Sequence, residues 1–264
     1  MSFIQSIFLG ALQGVTEFLP VSSSGHLVVL KGFMALEEVP MLFDVLLHVA
    51  TLFVVLIVFR DRVGKILVSL GRTLIGRRNE EDRENLRLFG VILISTVITG
   101  VMGLGIEKMD PGSNIKLVSA LFIVTGLILI WTRYMQGTIN YGTIGVKQGL
   151  ITGFGQGLGV FPGISRSGIT ISAALMAGMN REKAGEYSFL ISIPAILGAL
   201  LLELKDADTL FTAVAPLKVA AGFGSAFIVG LLSLLLLLRL VHRGKLFVFS
   251  FYLIPLGITG LFLF

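Results

Sequence analysis

The sequence contains no cysteine, and only 14% of its 264 residues are charged. The lack of cysteine excludes disulfide bonds, cysteine-ligated metal centres and a thiol nucleophile. The low charge excludes a soluble globular enzyme or a disordered chain, because soluble domains carry about a quarter charged residues. The first apolar stretch also lacks the basic start and small-residue exit of a signal peptide, so we expect it to stay in the mature protein.

Apolar side chains, by contrast, make up 55% of the sequence, and the mean hydropathy is +0.93. Six runs are long enough to cross a bilayer, which takes about 20 residues per helix. They are continuously apolar rather than alternating, which favours helices over barrel strands. The sequence therefore predicts an all-α polytopic membrane protein, with spanning helices near residues 40–59, 88–105, 117–132, 186–203, 219–238 and 246–263.

Two further apolar segments, at about 3–36 and 144–180, are interrupted near the middle by Gly, Pro and several Ser. The interruptions read L-P-V-S-S-S-G-H at 19–26 and F-P-G-I-S-R-S-G at 161–168. Non-helical backbone at membrane depth is tolerated only where it lines a cavity or is buried in protein. We predict that each segment is a re-entrant hairpin, in which two half-helices are joined by a polar turn.

The two hairpins are also similar to each other. With a shift of 143 positions, residues 10–25 align with 153–168 without a gap, and seven of the 16 positions are identical. Each half of the chain, about 1–135 and 144–264, then holds one hairpin and three spanning helices. Because three crossings change sides, the second hairpin enters from the opposite face, and the chain is predicted to be one membrane domain with an inverted repeat.

The basic residues are distributed unevenly between the two sets of loops. One set holds 15 of the 21 Lys and Arg residues. Since such loops face the cytoplasm, the net charge of +5 indicates orientation rather than nucleic-acid binding. Both termini and the first hairpin are then expected on the outer side, and the 60–87 stretch becomes a cytoplasmic loop with a short amphipathic helix.

Polar residues inside the hairpins are candidates for a functional site, because ionisable groups at membrane depth are costly and usually functional. Gln13 and Glu17 are four residues apart and share a helix face, and His26 follows the first turn. Arg166 lies in the second turn. If the hairpins meet, these groups converge with a set of hydroxyls, those of Ser22, Ser23, Ser24, Ser165, Ser167 and Thr170.

Such a cluster suits a phosphate-bearing ligand. A half-helix that begins after a turn presents unpaired N–H groups and the positive end of its dipole, and serines add caps and donors. Arg166 adds a planar fork, and Glu17 is able to hold a divalent cation. Either Ser23 or His26 is able to attack phosphorus while the other handles the proton. This chemistry leaves phosphoryl transfer and anion transport open.

Two motifs add a family resemblance. Q-G-V-T-E-F-L-P-V-S-S-S-G-H at 13–26 and P-G-I-S-R-S-G-I-T at 162–170 resemble the signature motifs of the bacterial undecaprenyl-pyrophosphate phosphatases, also called the bacitracin-resistance proteins. Their separation, the chain length and E-Y-S-F-L at 186–190 extend the resemblance over the whole chain. The resemblance implies hydrolysis of undecaprenyl pyrophosphate to undecaprenyl phosphate and phosphate, which recycles the lipid carrier of peptidoglycan synthesis and confers bacitracin resistance.

The resemblance also implies residue roles. Glu17 matches the essential, metal-associated carboxylate, and Arg166 matches the arginine that stabilises the pyrophosphate. Ser23 matches the favoured nucleophile, and His26 the histidine assigned to proton transfer or attack. Gln13 takes the first position of the family's acidic pair, which puts any scheme with two carboxylates there in doubt. The predicted substrate-binding residues are Gln13, Ser22, Ser24, Ser165, Ser167 and Thr170.

Family activity requires Mg²⁺ or Ca²⁺ at a site open to the periplasm of the bacterial inner membrane, and the resemblance is compatible with a homodimer. The expected partners are undecaprenyl pyrophosphate and membrane lipids. A transporter or flippase of a phosphorylated polyprenyl lipid is the alternative, because inverted repeats with broken helices are typical of transporters. The sequence leaves the nucleophile open between Ser23, His26 and water. It also leaves Asp44 and His48 open between a structural pair and a place in the cavity.

Overall fold

The computed structural model describes residues 1–33, 41–109, 111–204 and 214–264. Apart from one bridge between Ile139 and Met179, the regular structure in these ranges is helical. Three short 3₁₀ turns occur at Pro111–Ser113, Thr132–Tyr134 and Leu246–Phe249. The α-helices of the described residues are α1 (Phe3–Phe18), α2 (Ser23–Phe33), α3 (Met41–Val58), α4 (Arg60–Leu74), α5 (Asp82–Glu107), α6 (Ile115–Trp131), α7 (Val146–Leu158), α8 (Arg166–Met176), α9 (Arg181–Leu190), α10 (Ser192–Glu203), α11 (Pro216–His242) and α12 (Ser250–Leu263).

The helices confirm an all-α membrane protein with five to six spans. The stretches long and apolar enough to cross a bilayer are Asp82–Ile106, Ile115–Tyr134, Arg181–Leu202, Pro216–His242 and Leu246–Leu263. The remaining predicted span, at 40–59, corresponds to α3, which bends by 80° into α4. That second helix is the one predicted in the 60–87 loop, and its buried residues are Ile66 and Ser69. Residue 40 of the first predicted span lies outside the described residues.

Both interrupted segments consist of two helices joined by a turn, as predicted. The first is α1 and α2, with residues 34–36 of the predicted hairpin outside the described ranges, and the second is α7 and α8. The long span at Arg181–Leu202 is itself broken at Ile191, since Pro194 lacks an N–H for the preceding turn. At that break the carbonyl oxygen of Ile191 accepts a hydrogen bond from Nε2 of Gln156 over 3.1 Å.

The first half-helix of each hairpin packs on a long helix of the other half of the chain. Helix α1 lies against α11, and α7 lies against α5. Glycines permit this approach: a Cβ on Gly10 would overlap the carbonyl oxygen of Gly222, and one on Gly153 would lie 2.8 Å from Cα of Ser95. The 143-residue shift aligns Gly10 with Gly153. This equivalence supports our proposal that 1–135 and 144–264 are the two repeats.

We expect Gly10→Ala to lower the free energy of unfolding by about 1–3 kcal/mol, which is the usual range for overpacking. The matched control is Gly71→Ala on α4, where nothing lies within 4 Å of an added Cβ. There alanine is expected to stabilise the helix by up to about 1 kcal/mol. Helical circular dichroism during heating in detergent measures both variants. A wild-type melting temperature for Gly10→Ala would contradict the close α1–α11 contact.

The E-Y-S-F-L stretch at 186–190 joins the ends of several helices. Glu186 accepts hydrogen bonds from Nε of Arg62 and Nζ of Lys183, both over 3.0 Å. The same two cations lie over the ring of Tyr141, with Cζ of Arg62 4.7 Å and Nζ of Lys183 5.3 Å from its centroid. Burial raises the pKa of Tyr141 well above its ordinary value, so its phenol is neutral. The stretch therefore stabilises the helix ends, and it also contacts both hairpins through Phe189, whose ring centroid lies 5.6 Å from that of Phe18, and through Ser188, which contacts Thr170.

Candidate active site

The first turn is built around Ser22. Its φ of +71° lies in the left-handed region, which is uncommon for a residue other than glycine. Its hydroxyl oxygen accepts from the N–H of Gly25 over 3.3 Å and from the N–H of Gly163 over 3.0 Å. Ser22 thus caps α2 and links the first turn directly to the second.

The second turn is braced by α6. Gly163 has a φ of +96°, and its carbonyl oxygen accepts from the hydroxyl of Thr125 over 3.0 Å. The same hydroxyl oxygen accepts from the N–H of Ser165 over 3.2 Å. Ser165 caps α8, because its Oγ accepts from the N–H of Gly168 over 3.1 Å. The two turns therefore meet, and the N-termini of α2 and α8 lie on either side of the contact.

Glu17 is the centre of the predicted cluster. The residue is 5% exposed, and its Oε2 accepts from Nε2 of Gln13 over 2.9 Å and from Oγ of Ser23 over 2.8 Å. Its Oε1 pairs with Nη2 of Arg166 from the second turn. The structure thus brings together Gln13, Glu17, Ser23 and Arg166, and the paired Glu17 and Arg166 are 149 positions apart in the sequence.

The imidazole that contacts Glu17 belongs to His48, on α3. Its Nε2 lies 3.3 Å from Oε2 of Glu17, and its Nδ1 lies 2.9 Å from the carbonyl oxygen of Asp44. Both ring nitrogens therefore face oxygens that are able to accept hydrogen bonds. The sequence left His48 open between a structural pair with Asp44 and a place in the cavity. The signal was its four-residue spacing from Asp44, but only the packing of α3 on α1 shows which carboxylate it meets.

His26 contacts α6 and α12 rather than the Glu17 cluster. Its Nδ1 lies 2.8 Å from the carbonyl oxygen of Ser22, and its Nε2 lies 2.7 Å from the hydroxyl of Tyr252. The ring also stacks on Tyr252, with centroids 5.7 Å apart, and meets the edge of Phe122 at 5.2 Å. A carbonyl only accepts, so Nδ1 carries the proton and Nε2 accepts from the tyrosine. Both nitrogens are engaged outside the Glu17 cluster.

The remaining predicted hydroxyls serve the second turn more than the carboxylate. Oγ of Ser167 lies 3.2 Å from Oγ of Ser165 at the start of α8. The hydroxyl of Thr170 donates to the carbonyl oxygen of Arg166 over 2.6 Å and also contacts Ser188 of α9. Thr170 therefore holds the backbone that carries Arg166. Ser24 lies one residue beyond Ser23 and is half-buried.

Two buried polar atoms beside Glu17 have no hydrogen-bond partner among the described residues. They are Nη1 of Arg166, a donor, and Oε1 of Gln13, an acceptor. An unpaired buried polar atom is unfavourable by about 1–3 kcal/mol. The donor suits an anionic oxygen, and the acceptor suits a cation or a donor. In the described ranges, no group of three or more His, Asp or Glu side chains could hold a metal ion by protein ligands alone.

The sequence matches a family of known proteins over almost its whole length. The model of the family "Bacitracin resistance protein BacA" matches residues 6–259. The chain belongs to this family. Three relatives, each named undecaprenyl-diphosphatase, match almost end to end: 49% identity in Treponema denticola over 98% of this chain and 96% of the relative, 42% in Desulfosudis oleivorans over 97% of both, and 39% in Borrelia recurrentis over 96% of both.

Family membership confirms the resemblance first drawn from the two hairpin motifs. It also identifies the chain as a membrane-bound phosphatase, a hydrolase whose apolar helices embed it in a bilayer.

Proposed function

We propose that this BacA family protein hydrolyses undecaprenyl pyrophosphate to undecaprenyl phosphate and inorganic phosphate at the Glu17 cluster. The names of its relatives support the substrate. The observation that carries the proposal is that one buried carboxylate joins Ser23 of the first turn to Arg166 of the second. A nucleophile, a base and an anion-binding group thereby stand together where two helices begin.

The proposed reaction starts at Ser23. Its hydroxyl donates to Glu17 over 2.8 Å, which is within reach of a general base. Glu17 takes the proton as the serine oxygen bonds to the terminal phosphorus. The bond from that phosphorus to the bridging oxygen breaks, and undecaprenyl phosphate leaves with the electron pair. Water then attacks the phosphoserine, which releases inorganic phosphate and restores the hydroxyl.

Arg166 and the two helix N-termini stabilise the charge that develops on phosphate. The free Nη1 of Arg166 would donate to a phosphate oxygen, and charge-assisted bonds of this kind are about twice as strong as neutral ones. The opening N–H groups of α2 and α8 add the positive ends of two helix dipoles. Donors already aimed at the reacting group are usually the largest single contribution to catalysis.

The residues present also fit a divalent cation. The Glu17 carboxylate and the unpartnered Oε1 of Gln13 are oxygen donors of the kind Mg²⁺ and Ca²⁺ prefer. Mg²⁺ in particular commonly uses one or two carboxylates and completes its shell with substrate phosphates. Gln13 and Glu17 would hold the ion, and when bound it would supply further neutralisation of phosphate charge.

The direct test is phosphate release from undecaprenyl pyrophosphate by the purified protein. We expect release in Mg²⁺ or Ca²⁺, its loss in EDTA and its return when the cation is restored. No release from protein that still shows a cooperative helical melting transition would overturn the proposed hydrolysis. Lipid translocation in proteoliposomes would then be the next assay.

His48→Gln is expected to lower kcat about 10- to 100-fold while changing the melting temperature little. Glutamine removes the imidazole nitrogen that lies 3.3 Å from Oε2 of Glu17, and one lost electrostatic donor typically lowers the rate about 10²-fold. The matched variant is His26→Gln, for which we expect the smaller loss, because that ring contacts Tyr252. A larger loss in His26→Gln would contradict this placement and favour His26 as the acid or nucleophile.

The proposal includes an orientation in the plasma membrane, with both termini and the active site on the periplasmic side, and a homodimer. The proposal further includes roles of this hydrolysis in peptidoglycan synthesis and in bacitracin resistance. The uneven Lys and Arg distribution favours this orientation.

Because the chain has no cysteine, single introduced cysteines report orientation without background. We expect Lys108→Cys in intact cells to react with a membrane-impermeant maleimide. Arg78→Cys is expected to react only after the membrane is opened. Both positions are exposed in the fold, so the reverse pattern would invert the assignment.

A further inference from the structure

A second polar cavity lies away from the Glu17 cluster, where α6 and α11 end and α9 begins. Its volume is about 690 Å³. Its lining includes no acidic residue, and the basic side chains in it are Arg133, Arg181, His242, Arg243 and Lys245. The nearby carboxylate of Glu182 is paired with Lys183 over 3.0 Å. The cavity, which we call the basic pocket, therefore carries unbalanced positive charge.

Arg181 makes the basic pocket a built feature rather than a chance meeting of surface side chains. Its Nη2 donates to the carbonyl oxygens of Thr132, Arg133 and Met135, the last over 2.7 Å. Its Nη1 is buried without a hydrogen-bond partner in the described part of the chain. A Cβ on Gly244 would lie 3.0 Å from Cζ of Arg181, so the following loop closes on the guanidinium.

An apolar cleft continues from the basic pocket between α6 and α12. Its volume is about 340 Å³, and it shares Arg133 and Phe247 with the basic pocket. At this junction Cζ of Arg133 lies 5.2 Å from the centroid of the Phe247 ring. The rest of the cleft is lined by Ile130, Tyr134, Ser250, Phe251, Ile254 and Pro255. Charge and apolar surface thus lie side by side.

The exposed aromatic residues at this end indicate its depth in the membrane. Trp131 is 64% exposed and Tyr134 is 74% exposed. Exposed Trp and Tyr are enriched where the bilayer meets water. Thr125, which braces the second turn, precedes Arg133 by about 12 Å of helix rise. The basic pocket is therefore at headgroup level, and the Glu17 cluster is deeper.

We propose that the basic pocket and the apolar cleft together bind one anionic phospholipid of the bilayer. The phosphate headgroup lies among the basic side chains, and an acyl chain lies in the cleft between α6 and α12. Basic pockets between membrane helices bind anionic lipid headgroups in this way. The lipid links the ends of α6, α9 and α11 to α12, and the site is separate from the proposed hydrolysis.

The single tryptophan of the chain, Trp131, makes the proposal measurable. The protein is placed in phosphatidylcholine nanodiscs that contain increasing brominated phosphatidylglycerol, whose bromines quench nearby tryptophan. We expect stronger quenching than with brominated phosphatidylcholine at the same mole fraction. Each basic residue near a membrane surface contributes about fivefold in lipid affinity. The variant Arg133→Gln/Lys245→Gln should therefore need about 25-fold more phosphatidylglycerol.

The matched control is Arg77→Gln/Arg78→Gln, which removes two exposed charges outside the basic pocket and should leave quenching unchanged. Arg243→Gln provides a second, single test, and an unchanged melting temperature shows that each variant is folded. Equal quenching by the two brominated lipids would overturn the proposal. The proposal would also be overturned if unlabelled polyprenyl phosphate displaced the brominated lipid and unlabelled phosphatidylglycerol did not. Displacement by soluble glycerol phosphate alone would overturn it as well.

Discussion

Arg166→Ala is expected to lower phosphate release from undecaprenyl pyrophosphate by about 1,000-fold or more, the scale seen when a charge-stabilising donor or arginine is removed from phosphoryl transfer. The guanidinium pairs with Glu17 through Nη2, and its Nη1 has no hydrogen-bond partner among the described residues. Removal of the side chain therefore removes both the pair and the free donor.

Two further variants locate the effect. Arg166→Lys keeps the charge but loses the planar fork, so it should recover only part of the rate. Glu17→Gln keeps the shape of the side chain but cannot take the proton of Ser23, and it should also abolish turnover. Arg77→Ala, on the exposed part of the chain, is the control for a lost positive charge. Near-normal phosphate release by Arg166→Ala would contradict its place at the reacting phosphate.

Ser23→Ala is expected to lower the hydrolysis rate at least about 10⁴-fold, as loss of an activated nucleophile does in other enzymes. The serine hydroxyl is the group that donates to Glu17, whereas His26 donates and accepts elsewhere. Trapping with radiolabelled terminal phosphate should give a phosphoserine in wild-type protein and none in Ser23→Ala.

The same variant separates hydrolysis from transport. If the protein also carries a phosphorylated polyprenyl lipid across the membrane, scrambling in proteoliposomes should survive Ser23→Ala while hydrolysis does not. Ser225→Ala is the matched control, since its hydroxyl donates to the carbonyl oxygen of Ile7 at an exposed position. Full hydrolysis by Ser23→Ala would mean that Glu17 activates water directly and would exclude a phosphoserine.

Much of the site was predictable because polar and charged side chains are energetically unfavourable at membrane depth. An apolar segment that contains a glutamine, a glutamate and a run of serines indicates a functional site. The helix period alone places Gln13 and Glu17 on one face. The repeat of the motif after 143 residues predicted a second hairpin from the opposite face, with convergence of the polar groups if the two hairpins meet. The contact between Ser22 and Gly163 shows that meeting in atomic terms.

The roles of the two histidines were not predictable in the same way. His26 follows the first turn, and the family resemblance implied that it transfers the proton or attacks phosphorus. In the fold its Nε2 lies 2.7 Å from the hydroxyl of Tyr252 on α12. His48 has no motif around it, and it meets Glu17 only because α3 packs beside α1. Thr170 likewise holds the Arg166 backbone rather than the carboxylate.

The sequence by itself determined the class of the protein: continuous apolar runs require spanning helices, and polar turns within apolar segments require a protected site. It also determined which carboxylate and which arginine the site contains, because few charged residues occur at that depth. Only the tertiary structure decided which side chains touch Glu17, and that a basic pocket lies beside an apolar cleft at the ends of α6 and α12. The Glu17–Arg166 pair and the hydrogen bond from Ser250 to Gly126 join residues more than 100 positions apart. Helix periodicity carries no information about the angle at which such distant helices pack.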